Sequence, residues 1–266
     1  MSSLSQAKSF NTRAGSQFNY TPIAVFVGGT SGIGQRTAEA LAQYTNGDVH
    51  IILIARNGDS AKSILDSMQT ERHPGFIQCD VALMKNVSPA ARELERLLAQ
   101  KFSKNDPPRI NFLFMSAGYA SLRNRRNDTE EGIDHQFALR YYHRFKFIME
   151  TLPLLRAARD AGEDAKVLSV LGAGARWPWI PKEDFGYKES KNGPGFCTPL
   201  VSAVYNDLAI EGFARREPGI AFTHMNPWFV RTPQFNKVML FSHWSLMWLN
   251  PLLTFIWLFF SMAGKG

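Results

Sequence analysis

The sequence predicts an α/β fold of the Rossmann type, a doubly wound parallel sheet of about six strands with helices on both faces. Three observations carry this. Short β-branched runs alternate with longer amphipathic stretches from Thr21 to Asn226. The runs are apolar at nearly every position rather than at every second one, as strands buried on both faces must be. A glycine-rich turn joins the first run to the first helical stretch.

The runs fall at 23–27, 49–55, 75–79, 110–116, 166–171 and 220–225, each short enough for a strand. Helical patterning fills 32–44, 61–69, 88–101, 129–158 and 199–215. Strand–helix alternation of this kind is solved by right-handed crossovers onto one parallel sheet. Thr198 is placed to cap the last helix, Pro199 suits its first turn, and Pro218-Gly219 follow its end. No internal repeat is visible. Residues 1–20 are polar and read as a flexible segment, 21–235 as the folded domain, and 236–266 as an apolar, aromatic segment.

Composition excludes several classes. Two cysteines, Cys79 and Cys197, make no disulfide framework and have no metal-ligand spacing, so no metal is expected. The first twenty residues lack an apolar signal-peptide core, which makes the cytoplasm the expected compartment. A formal charge of +7 arises from 30 Lys and Arg against 23 Asp and Glu. Part of it clusters at Arg123-Asn124-Arg125-Arg126, without the aromatic interleaving or module that nucleic-acid binding would require. A solvated loop, with cations near an anionic cofactor, is the simpler account.

The first strand runs into Gly28-Gly29-Thr30-Ser31-Gly32-Ile33-Gly34 and then a helix. Gly28 permits the tight turn, Gly32 admits a pyrophosphate against the backbone, and Gly34 lets helix and sheet approach. The helix N-terminus presents unpaired amides and a positive dipole end to phosphate, and Thr30 and Ser31 add hydroxyls. Beyond the second strand stand Arg56 and Asn57, where an NAD site usually has an acid for the ribose 2′-hydroxyl. An arginine there suits a 2′-phosphate, so NADP(H) is favoured over NAD(H).

The spacing G-x-x-x-G-x-G resembles the short-chain dehydrogenase/reductase family, and further landmarks follow over about 200 residues. Asp80-Val81 resembles the family's adenine-binding Asp; Met115-Ser116-Ala117-Gly118 stands where the family has Asn-Asn-Ala-Gly beside the cofactor. Asn226-Pro227-Trp228-Phe229-Val230-Arg231-Thr232 resembles its Pro-Gly…Thr segment, giving Pro227, Val230 and Thr232 as cofactor contacts. The phrases Ser-Val-Leu-Gly-Ala-Gly and Tyr-Asn-Asp-Leu are most similar to fungal members of secondary metabolism. The resemblance implies a Ser, a Tyr, a Lys four residues later and an Asn as the proton-handling set. Anchored on Glu211-Gly212-Phe213, those positions hold Gly172, Ala203, Asp207 and Arg140.

Two tyrosines compete for the vacant role. Tyr187 and Lys191 have the right spacing, but Asn192-Gly193-Pro194-Gly195 breaks any helix that would stack them. Tyr205 lies in the last helix two places past the expected one, about 200° around the axis. Arg140 can act electrostatically or hold an anionic group, and Asp207 can bond ribose hydroxyls or act as a base. Residues 238–260 carry no charge and admit three readings: a cover over an apolar substrate, ranked first, an interfacial membrane contact, or a membrane span interrupted by Asn250 and Pro251. The sixth strand is an edge unless this segment or a partner subunit covers it. The expectation is an NADP(H)-dependent oxidoreductase for an apolar small molecule, with homo-oligomers common in the family. A non-redox isomerase or cyclase and a catalytically silent nucleotide-binding protein are the alternatives.

Overall fold

The computed structural model describes residues 3–68, 70, 75–100, 107–118, 126–175, 177, 179–180, 182–189, 197–228, 230 and 232. β1 (Ile23–Val27) takes β2 (His50–Ala55) on one side and β4 (Phe112–Met115) on the other; β3 (Gly75–Gln78) flanks β2. β5 (Lys166–Val170) and β6 (Ala221–Met225) extend the far side, giving the all-parallel order β3-β2-β1-β4-β5-β6. Chain direction of winding therefore reverses between β1 and β4, which opens a crevice at the carboxyl ends of those strands.

Successive residues of β1 point to opposite faces, and both faces are covered. Ile23, Val25 and Val27 join a core with α4 (Met84–Ala99), α6 (His143–Asp160) and α7 (Thr198–Arg216). Ala24 and Phe26 join a second core with α2 (Gly32–Tyr44) and α3 (Gly58–Ser67). Ile51 to Ile54 of β2 are all buried. Full burial of each such side chain is worth roughly 1.5–3 kcal/mol, which is why such a strand is apolar at nearly every position.

Several boundaries differ from expectation. Residues 4–15 form a helix, α1 (Leu4–Gly15), where the polar composition suggests a flexible segment. A capping box explains it: Ser3 accepts from the Gln6 amide, and the Gln6 side chain accepts from the Ser3 amide. Helix α3 begins early because Asn57 caps it, accepting from the Ser60 amide at 3.0 Å. Helix α4 begins at Met84, its first amides held by the Glu131 carboxylate at 2.6 and 2.8 Å. Thr198 is inside α7 rather than its cap; Cys197 takes that place and makes no side-chain capping bond.

The expected single helix 129–158 is three pieces: α5 (His135–Phe137), a π-helical segment (Ala138–Tyr142) and α6. Asp134 supplies the start, accepting from the amides of Gln136 and Phe137. Arg126, one of the clustered cations, is not simply solvated. Its guanidinium donates to the carbonyls of Gly132, Gly186 and Tyr187 and pairs with Asp128. Arg123 to Arg125 lie outside the described residues, as does the whole of 236–266 with the three readings made of it. No helix among the described residues is long and apolar enough to cross a membrane. Residues of β6 are alternately exposed and half-buried, so Ala221, Thr223 and Met225 face outward among the described residues.

Candidate functional site

The carboxyl ends of β1, β4, β5 and β6 surround one crevice. At β1 the chain turns through Gly28, whose φ of 91° is left-handed and whose amide donates to Ile54 at 3.0 Å. Gly34 sits in the first turn of α2, and a Cβ there would stand 2.5 Å from both the Gly28 carbonyl and Ser116 Oγ. Only bare backbone fits this approach. Ser31 precedes α2 in extended conformation and makes no side-chain capping bond, so the amides of the first turn remain available to an anion. Thr30 and Ile33 flank that turn. Thr232 reaches the same place from beyond β6: its methyl would lie 3.0 Å from a Cβ on Gly32. This cradle fits a pyrophosphate, and side chains on Gly28, Gly32 or Gly34 would fill it.

Arg56 follows β2 directly and is exposed, its carbonyl accepting from Gln78 Nε2 at 3.1 Å. No acid shares that strand end: Asp48 accepts from Thr21 at the opposite end, and Asp59 lies in the first turn of α3. Asn57, the companion candidate, spends its side-chain oxygen on capping α3. Asp80 also uses one carboxylate oxygen locally, accepting from Ala82 at 3.1 Å, while Val81 is buried beside it. Ala117 and Gly118 continue β4 into the crevice, next to Gly28. Pro227 and Val230 follow β6, and Trp228 between them holds a left-handed φ of 53°.

Two of the four proton-handling positions come into contact. A Cβ on Gly172 would lie 3.7 Å from the Ala203 methyl, so β5 and α7 bring the expected Ser and Tyr positions into contact with no functional group on either. Tyr205 is not their substitute. It is 2% exposed and stacks on Phe185, with ring centroids 4.1 Å apart, and on Phe137. Its hydroxyl makes no hydrogen bond of good geometry, and burial pushes its pKa up to about 12. That cluster packs the outer side of α7, bordering a groove of about 260 Å³ lined also by Tyr141, Phe145 and Phe213. The Tyr187 reading fails for a different reason: the residue has a φ of 56°, lies in no helix, and donates its hydroxyl to Trp179. Lys191 lies outside the described residues.

Arg140 is nine-tenths buried in the π segment; its Nε donates to Ser202 Oγ at 2.9 Å, and its carbonyl accepts from Asn206 Nδ2 at 2.9 Å. Burial brings its pKa down to about 10, so it stays cationic. Asp207 accepts from the Gly174 amide at 3.0 Å and lies 2.6 Å from His224 Nδ1.

Sequence reading missed two residues here. Arg144 is fully buried, and its guanidinium donates to the carbonyls of Met115, Ala117 and Val170 and to Ser169 Oγ. It ties the ends of β4 and β5 together, with its pKa lowered to about 9 by burial and by the charge of Arg140. The signal was one arginine four places after another in a helix that is otherwise apolar on that face. His224 is the second, the lone titratable side chain in β6, on the same face as Phe222. Among the described residues no cluster of metal-ligating side chains exists.

A family profile described as short chain dehydrogenase matches residues 22–193. An oxidoreductase from Emericella nidulans is 39% identical over 79% of this chain and 58% of its own. An NmrA-like family domain-containing oxidoreductase from an Aspergillus strain is 33% identical over 79% of this chain and 61% of its own. The matched part of the chain thus spans about three-fifths of the length of these relatives. Among solved structures, the RhlG/NADP active-site complex of Pseudomonas aeruginosa superposes with a TM-score of 0.59 at 20% identity, covering 83% of this chain and 76% of that one.

Proposed function

Since this chain belongs to the short-chain dehydrogenase family, we propose that it is an NADP(H)-dependent oxidoreductase acting on an apolar small molecule. The observation that carries the reading is the bare-backbone cradle at Gly28–Gly34, with Arg56 and no acid at the end of the neighbouring strand. Gly28, Gly32, Gly34 and the first amides of α2 would hold the pyrophosphate, and Arg56 the 2′-phosphate. Ala117, Gly118 and Thr232 would border the nicotinamide half. The bound dinucleotide supplies or accepts hydride, and the protein contributes position, electrostatics and exclusion of water. Similar folds that hold NADP and relatives named as fungal oxidoreductases support the reading, and place in a fungal secondary-metabolite pathway is part of the proposal.

Isothermal titration tests it. NADPH is expected to bind at least tenfold more tightly than NADH, a difference of about 1.4 kcal/mol, and Arg56→Ala to erase most of that preference. Binding of neither dinucleotide at millimolar concentration would overturn the reading. The bare pair Gly172–Ala203 favours one second reading, a non-redox isomerase or cyclase that uses the crevice as a template. Tight NADPH binding without any loss of its absorbance, across carbonyl and imine substrates, is the result that would prefer it.

A further inference from the structure

We propose that Asp207 and His224 form the proton-holding pair of this crevice, with Asp207 the catalytic base and His224 the positioning residue behind it. The inference rests on the oxidoreductase reading above and names the groups that would serve it.

Geometry places the pair. Asp207 lies four residues after Ala203 on α7, hence on the same helix face, and Ala203 faces Gly172 at the end of β5. The loop beyond β5 meets Asp207 as well, since the Gly174 amide donates to Oδ2 at 3.0 Å. The other carboxylate oxygen lies 2.6 Å from His224 Nδ1. In a doubly wound sheet one half of a dinucleotide lies over β1–β3 and the other over β4–β6. A dinucleotide anchored at Gly28–Gly34 therefore extends its far end toward this pair.

Exposure assigns the two roles. The Asp207 side chain is 36% exposed and the His224 side chain 3%, so the carboxylate reaches the crevice and the imidazole supports it from within. His224 Nε2 is buried and has no hydrogen-bond partner. The ring is flanked by Asp207 from α7, by Arg144 from α6 and by Ser169, its register partner on β5. Burial lowers the His224 pKa, the Arg144 cation lowers it further, and Asp207 opposes both. In the neutral ring the 2.6 Å contact with the Asp207 carboxylate favours the tautomer with its proton on Nδ1 and a lone pair on Nε2.

The chemistry balances with the nicotinamide dinucleotide as redox partner. For an alcohol, the O–H bond breaks toward the Asp207 carboxylate while the carbinol C–H electron pair departs as hydride to the oxidised nicotinamide, and the C–O bond becomes a carbonyl. The proton then stays on the Asp207 carboxyl, whose other oxygen goes on accepting from His224 Nδ1. Reduction runs the same path backward, Asp207 returning the proton to the carbonyl oxygen.

Calorimetric titration with NADP+ in buffers of different ionisation enthalpy reads this directly, because the cationic nicotinamide discourages a proton on a neighbouring pair. The wild type should release protons on binding NADP+, and NADPH binding should release far fewer. Asp207→Asn and His224→Gln, each keeping a hydrogen-bonding side chain, should abolish the difference while NADP+ affinity stays within about threefold, or 0.7 kcal/mol. Equal proton release by the wild type and Asp207→Asn would overturn the pair and leave the cofactor reading intact. Loss of all binding heat in the wild type would instead defeat the cofactor reading, and the pair with it. If a variant's melting temperature collapses, ¹⁵N spectra of the wild-type imidazoles decide: His224 in the Nδ1–H form and shifted by NADP+ sustains the pair, while an unshifted His224 removes it.

Discussion

At the scale of single residues, the site is defined by what side chains are missing. Gly34→Ala would force a methyl to within 2.5 Å of the Gly28 carbonyl and Ser116 Oγ. Neither the backbone oxygen nor the strand that carries it can withdraw cheaply, so a loss of about 1–3 kcal/mol in stability is expected, together with loss of NADPH binding. Thermal melting and fluorescence titration check the two parts separately. Trp228 presents the opposite case. It is a bulky residue at φ 53°, 78% exposed, and its amide donates to Asn226 Oδ1. A non-glycine residue held there costs roughly 1–3 kcal/mol, part of which glycine returns as chain entropy on folding. Trp228→Gly is therefore expected to gain about 1 kcal/mol and raise the melting temperature by about 2–4 °C. A lower melting temperature would show that the indole packs usefully in solution. Both positions are legible as landmarks in the sequence, because steric exclusion around a turn depends on few neighbours. The hydrogen-bond partners of Arg144 sit on two strand ends 25 to 29 residues away, and His224 meets Asp207 on a different element, so nothing local announces them.

At the scale of elements, the expected long helix between β4 and β5 is interrupted by the π-helical segment Ala138–Tyr142. Periodicity could not reveal this, since one widened turn leaves the apolar pattern of Phe147, Ile148, Leu152 and Leu155 in register with the core. The interruption has a consequence for the site. It sets Arg140 against Ser202 on α7, while Arg144, at the start of the regular helix, reaches under β4 and β5. π segments of this kind recur at functional sites for that reason. Arg144 is then a brace between a helix and two strand ends, and its removal takes a donor from three carbonyls at once. Arg144→Met should cost about 1–3 kcal/mol or more through buried carbonyls that lose a donor, read as a lower urea midpoint at unchanged slope. Arg144→Lys should recover little, since one ammonium cannot span acceptors on two strands as the planar guanidinium does. The strands, by contrast, were readable to within a residue or two, because burial on both faces imposes uniform apolar runs. α1 was not, since a capping box on a polar segment leaves no periodic trace.

At the scale of the whole molecule, the buried ionisable groups set how stability answers to pH. His143 is completely buried in α6; its Nδ1 lies 3.0 Å from the Ala138 carbonyl, and its pKa is lowered from 6.5 to about 3, first by burial and then by Arg144. His224 is shifted in the same direction. Above pH 6.5 both rings are neutral folded or unfolded, and they contribute no pH dependence. As pH falls below 6.5 the unfolded chain gains protons that the folded chain refuses, so stability declines, and for His143 the decline continues until pH reaches about 3. Carboxylates whose pKa is lowered by their partners, Glu150, Asp164 and Glu217 among them, act in a lower window: their contribution is present above their unfolded values and is lost below about pH 4.5. The interval from pH 6.5 to 5 therefore belongs to the histidines. At 1.36 kcal/mol per pH unit, His143 alone accounts for about 2 kcal/mol across it. Urea unfolding at half-unit steps of pH should show that slope in the wild type. His143→Asn, which keeps a donor for the Ala138 carbonyl and has no titrating ring, should flatten it toward the smaller contribution of His224. An unchanged slope in that variant would mean that the His143 ring is already protonated in the folded protein at pH 5, with water or a rearranged π segment compensating its charge.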